Sequence, residues 1–172
     1  EMKYERPDLA AVKEELRALT GRLKAAKDYG EVREAFLAHE KVSTHLSTVS
    51  HLAYVRHAID TRDEFYDAEE SFWNAAQPEL EEYEDAWKGA MLESPFRKEF
   101  AAEYGDLMFV NAEIDRKAFS PEIIPESQQE NELTQVYDKL LASAQIPFEG
   151  GVYTISQLSP FKHDADDARR LA

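Results

Sequence analysis

Residues 7–23, PDLAAVKEELRALTGRL, decide the fold class. Leu9, Val12, Leu16, Leu19 and Leu23 recur at alternating spacings of three and four, which draws one apolar stripe along a helix that must face a partner helix. Pro7 and Asp8 form a natural helix start, and the end is expected near Asp28-Tyr29-Gly30. Working outward, a second helix is predicted from Glu31 to about Ile59, with Val32, Phe36, Leu46, Val49 and Ala53 inward. A third follows through DTRDEFYDAEESFWNAAQPELEEYEDAWKGAMLES (60–94), where Pro78 is expected either to kink the helix or to split it. Ser94-Pro95 opens a fourth helix through Phe119, and Ser120-Pro121 a fifth through about Ala144, each a hydroxyl cap followed by proline at the first helical position. SAQIPFEGGVYTISQLSP (143–160) breaks the pattern: β-branched and aromatic residues on both sides of Glu-Gly-Gly read as a hairpin.

The expectation is therefore all-α, an up-and-down bundle of about five long helices with one small β-hairpin near the C-terminus. Its parts are a helical domain over 1–144, a hairpin connector over 145–159, and the start of a further helix over 160–172. That last segment holds one large apolar residue, Leu171, in barely two turns, so the chain reads as a piece of something longer.

Bulk composition removes several functions. The 172 residues carry a formal charge of −15 and a pI near 4.7, which repels phosphate backbones and anionic membranes, so neither nucleic acid nor membrane is expected as a partner. The absence of cysteine excludes disulfides, thiolate zinc sites and a cysteine nucleophile. No apolar run is long enough to span a bilayer, and EMKYERPDLAAVKEE is too polar for a signal peptide; the expected location is the cytoplasm.

Candidate chemistry is sparse. His39, His45, His51 and His57 recur every six residues, which turns successive histidines onto three different faces of a helix, so a shared metal is outweighed by solvated or singly hydrogen-bonded side chains. His39-Glu40 begins a His-Glu-x-x-His zinc motif, but the second ligand position is Ser43. His57 and Asp60 are spaced for a local hydrogen bond at a helix end. The carboxylates of DTRDEFYDAEE and PELEEYEDAW sit among further acids and read as a solvated face. Phe65, Phe72, Trp73, Tyr83, Trp87, Phe96, Phe100 and Phe109 suit a core better than a peptide groove. Ser43, Ser47 and Ser50 form a small-residue face without a glycine elbow. Arg56 and Arg62 are expected to fix the corner between helices two and three by bidentate pairing with carboxylates.

Several motifs, taken in order, carry a resemblance. Tyr4 to Leu9 (YERPDL), Leu52 to Tyr66 (LAYVRHAIDTRDEFY), Ser94 to Arg97 (SPFR), Phe119 to Ile124 (FSPEII), Glu130-Asn131, Lys139 to Ala144 (KLLASA) and Ser156 to Leu158 (SQL) together make the chain similar to the N-terminal region of the oligoendopeptidase F branch of the thimet-type zinc metallopeptidases. The resemblance implies a mostly helical, cytoplasmic peptidase that cleaves short peptides inside a deep channel, with one zinc held by a His-Glu-x-x-His helix and a further glutamate. Those ligands have no counterpart in these 172 residues, so no residue receives a catalytic, cofactor-binding or metal role; zinc is implied for the parent protein only. The function expected of this chain is a channel-wall, substrate-gating domain, inactive alone, whose partners are short peptides and a C-terminal catalytic domain in the same polypeptide. The alternative is a free-standing, non-catalytic helical interaction module.

Overall fold

The computed structural model describes residues 2–163 and 165. The chain divides into two units, Glu1–Gln129 and Glu130–Ala172. In the first, α1 (Leu9–Ala25), α2 (Tyr29–Ile59) and α3 (Glu64–Glu93) pack on one another, followed by α4 (Arg97–Tyr104) and α5 (Leu107–Ala118). A 3-10 turn at Pro121–Ile123 then leads into α6 (Ile124–Ser143), whose course crosses the division at residue 129. The second unit holds the rest of α6, a hairpin of β1 (Ile146–Phe148) and β2 (Gly151–Tyr153), the single turn α7 (Ile155–Leu158) and a 3-10 stretch over Ser159–His163. The fold is all-α with one small antiparallel hairpin, as the apolar spacing predicted.

Each of the first three helices starts on an aspartate. Asp8 accepts from the amides of Ala10 and Ala11 at 2.9 and 3.2 Å, Asp28 from Glu31 at 2.9 Å, and Asp63 from Phe65 and Tyr66 at 2.9 and 3.1 Å. Such caps satisfy amide donors that the first helical turn leaves open, and each is worth about 1 kcal/mol. Asp28 thus begins α2 rather than ending α1, because its short carboxylate serves a helix start better than a helix end.

The fourth predicted helix is corrected: the stretch from Ser94 to Phe119 forms two helices. Gly105 stands between them with φ +87° and ψ 165°, backbone that side chains rarely tolerate. Ser94 closes α3 instead of capping α4 at its first residue, and α4 begins two residues beyond Pro95. At Ser120 the expectation holds, since its hydroxyl accepts from the Glu122 amide at 3.4 Å and Pro121 opens the 3-10 turn. α3 is continuous through Pro78 and is not split. The proline ring is buried among core residues of the same helix, and Gln128 Nε2 donates to the Ala75 carbonyl at 2.7 Å, beside the turn where proline supplies no amide hydrogen.

The first unit is built on two apolar clusters along the bundle. Leu16, Leu46, Val49, Ala53, Trp73, Ala76 and Leu80 form one; Leu19, Leu23, Val32, Ala35, Trp87, Ala90, Met91, Phe100 and Phe109 form the other. The predicted stripe of α1 supplies members of both. Burying a large apolar side chain stabilises a fold by about 1.5–3 kcal/mol, so these clusters carry the unit.

The hairpin turns through two residues, Glu149 (φ +46°) and Gly150 (φ +81°), the geometry of a type I′ turn. The third residue of the expected Glu-Gly-Gly turn, Gly151, pairs with Phe148 in the ladder. The Tyr153 ring lies over Gly151, 2.6 Å from the position of a Cβ, so a larger residue there would have to displace the ring. The helix expected within 160–172 falls, from Asp164 onward except Ala165, outside the described residues.

Candidate functional site

The polar chemistry of the first unit gathers along the seam between α2 and α3. His39 and His57 are eighteen residues apart, five full helical turns, so the fourth histidine of the series returns to the face of the first. Both face α3 and are buried, at 3% and 4% exposure, while His45 and His51 are exposed. The His39 ring stacks on the Trp87 indole at 4.1 Å with only 4° between the planes. Its Nε2 lies 3.4 Å from Glu84 Oε1, and His57 Nε2 lies 3.3 Å from Asp67 Oδ1. Neither contact is an aligned hydrogen bond: both ring nitrogens of His39 and Nε2 of His57 are buried without one. His57 therefore faces Asp67 across the seam rather than Asp60 along its own helix. Asp60 instead accepts from Arg62 Nε and the Arg62 amide at 3.0 and 3.1 Å, and this pairing holds its carboxyl below the usual range.

A second polar centre ties down the amino-terminal segment. Glu69 of α3 is 4% exposed and takes two hydrogen bonds from Arg6, at 2.8 and 2.6 Å, and one from the Tyr4 hydroxyl at 2.5 Å. The Tyr4 oxygen in turn accepts from Trp73 Nε1 at 3.2 Å, and the Arg6 guanidinium lies 4.5 Å over the Phe72 ring. Arg6 holds the Glu69 carboxyl below its ordinary range, and burial together with Glu69 pushes the Tyr4 phenol up to about 12. Arg56 adds a bond to the Met2 carbonyl at 2.6 Å and another to the Tyr66 hydroxyl. Of the pair expected to fix this corner, Arg62 meets the carboxylate of its own neighbour Asp60, while Arg56 bonds the Tyr66 phenol of α3 and the Met2 carbonyl.

The remaining candidates are placed plainly. Trp73, Trp87, Phe100 and Phe109 are buried in the two cores, Phe72, Tyr83 and Phe96 are half-buried against them, and Phe65 is exposed. Ser50 is buried, and its hydroxyl donates to the Ser47 carbonyl at 3.1 Å. His51 Nδ1 lies 2.7 Å from that same carbonyl and 3.4 Å from the Ser47 hydroxyl. A carbonyl only accepts, so Nδ1 carries the hydrogen and is no base for Ser47. A groove of about 410 Å³ between α3 and α5 is lined by Glu81, Glu84, Asp85 and Asp115, with Lys88 bound to Asp115 at 2.8 Å. Beside it, a cleft of about 230 Å³ reaches His39 and Trp87. The seam and its clefts are electrostatic and packing devices, with no nucleophile paired to a base.

Among the described residues no three His, Cys, Asp or Glu side chains converge as metal ligands, so the donor set does not fit zinc. No described helix is long and apolar enough to cross a membrane.

Sequence signals for the seam and the amino-terminal tie were present but weak. Eighteen-residue spacing marks His39 and His57 as sharing one face, and YERPDL holds both Tyr4 and Arg6; no local pattern named Glu69 or Glu84 as their partners.

Comparison with known proteins converges on one source. A family model described as the peptidase M3 N-terminal domain matches residues 1–119. PZ peptidase A, solved with an inhibitor, is similar over 99% of this chain at 35% identity and a TM-score of 0.93. A structure named as an oligoendopeptidase F gives the same figures, and another from Bacillus anthracis is 34% identical with a TM-score of 0.92. This chain spans 30–31% of the length of those solved chains. No curated protein sequence matches.

Proposed function

Because the chain belongs to the peptidase M3 N-terminal domain family, we propose that it is the amino-terminal helical part of a zinc-dependent oligoendopeptidase and acts as a wall of the channel that admits short peptides. The observation that carries this reading is the match of 99% of the chain to under a third of PZ peptidase A. Residues 1–144 form the wall and 145–159 connect it to the catalytic part. Zinc and the hydrolytic residues belong to that other part; residues of this chain select substrate by steric exclusion and do not react with it. A location in the cytoplasm suits such a peptidase.

Physical support comes from the shape of the first unit. α2 and α3, with 31 and 30 residues, each run about 45 Å and are fixed to one another by apolar clusters and buried polar pairs. A surface of that length, held rigid, can limit the width of a neighbouring channel without chemistry of its own.

The test is hydrolysis of a peptide series of graded length by the polypeptide that the gene encodes, with and without residues 1–144. Loss of length discrimination on deletion is expected, and the 172-residue chain alone should cleave nothing. Unchanged discrimination by a folded, active deletion variant would sink the gating role.

A further inference from the structure

The second unit presents an amphipathic helix turned inside out. In α6, Leu133, Val136, Tyr137, Leu140 and Leu141 fall within about 140° of arc at 100° per residue, and all five are exposed, four of them by 57–65%. The buried residue of this unit, among those described, is the polar Gln135, on the opposite side of the helix. Val152 of the hairpin and Ile155 after it are exposed as well. Contiguous apolar faces of this kind mark surfaces that something covers.

We infer that the Leu133–Leu141 face of α6 is the docking surface for the catalytic part of the same polypeptide, which meets it with an apolar face of its own. The inference rests on the functional reading above and names the surface by which the wall is held. Length supports this occupant: this chain covers 30% of the solved relatives, so most of each lies outside the part it matches. A segment tethered just beyond the hairpin reaches α6 at high effective concentration. Charge disfavours a second copy, because two chains each carrying −15 repel one another.

Hydrogen exchange on the gene's full polypeptide and on the 172-residue chain, with peptide hydrolysis assayed on the full polypeptide, tests the inference. Amides of residues 133–141 are expected to exchange at least 100-fold more slowly in the full polypeptide, and Val136→Glu with Leu140→Glu should erase that difference while Ala35 and Trp87 stay protected. Equal exchange in the two samples overturns the docking surface, as does a 172-residue chain that dimerises through α6 and loses the dimer with the same two substitutions. Protection of α6 without peptide hydrolysis overturns the functional reading alone; hydrolysis with α6 unprotected overturns the docking surface alone.

Discussion

The two units of this chain spend their apolar residues in opposite ways. The first unit buries seventeen apolar residues, Leu16 to Ala112, sixteen of them in two clusters. The described part of the second buries none; its nearest equivalent is the Phe161 ring, seated edge-on against Phe148 and Tyr153 at 5.2 and 5.3 Å. The same residue types and the same helical periodicity therefore produce a self-sufficient bundle in one place and a surface awaiting cover in the other. Amphipathicity says that a face will be buried, not by what.

Substitutions in the core should break this contrast most sharply. Trp87→Ala removes an indole that packs in the larger cluster and stacks on His39, and should cost about 4 kcal/mol in urea unfolding of the 172-residue chain. Gly105→Ala forces a side chain into backbone nearly reserved for glycine and should cost about 2 kcal/mol, read the same way. Arg6→Ala strips the buried Glu69 carboxylate of two hydrogen bonds and should cost about 2 kcal/mol, a figure kept low because Arg6 is itself half exposed.

The last site also predicts a pH response. The folded Glu69 carboxyl titrates below its unfolded value, so the unfolded state binds more protons in that window. Stability is complete above the unfolded carboxyl range, near pH 4.3, and declines as pH falls through the lower folded value. Glu103, held low by Tyr29 and Arg33, acts in the same direction. Acid unfolding of Arg6→Ala, followed by circular dichroism, should show a shallower loss between pH 5 and 3 than the parent. The smallest effect belongs to the second unit: Leu140→Ala should change the stability of the 172-residue chain by less than about 0.5 kcal/mol, since the side chain is 65% exposed.

How much of this was legible in the sequence follows from range. The Leu9 to Leu23 stripe, Asp8 and Ser120-Pro121 announce helices because the forces involved act within a turn or two. Gly105 does not announce a break, because a lone glycine inside a helical pattern is often tolerated and its conformation is set by tertiary context. The sequence reads His39 and His57 as solvated or singly hydrogen-bonded because their burial depends on Trp87, Glu84 and Asp67, at least ten residues away along the chain. The family resemblance, carried by motifs such as FSPEII and YERPDL, was legible although none of those motifs is catalytic; Tyr4 and Arg6 turn out to secure the amino-terminal segment to α3.

Limited trypsinolysis of the 172-residue chain, read by intact mass, tests the contrast between the units most directly. Early cleavage within the second unit at Lys139 or Lys162, with residues of the first unit surviving as a resistant core, is the predicted result. First cuts inside α1, α2 or α3, or equal resistance of both units, would contradict it.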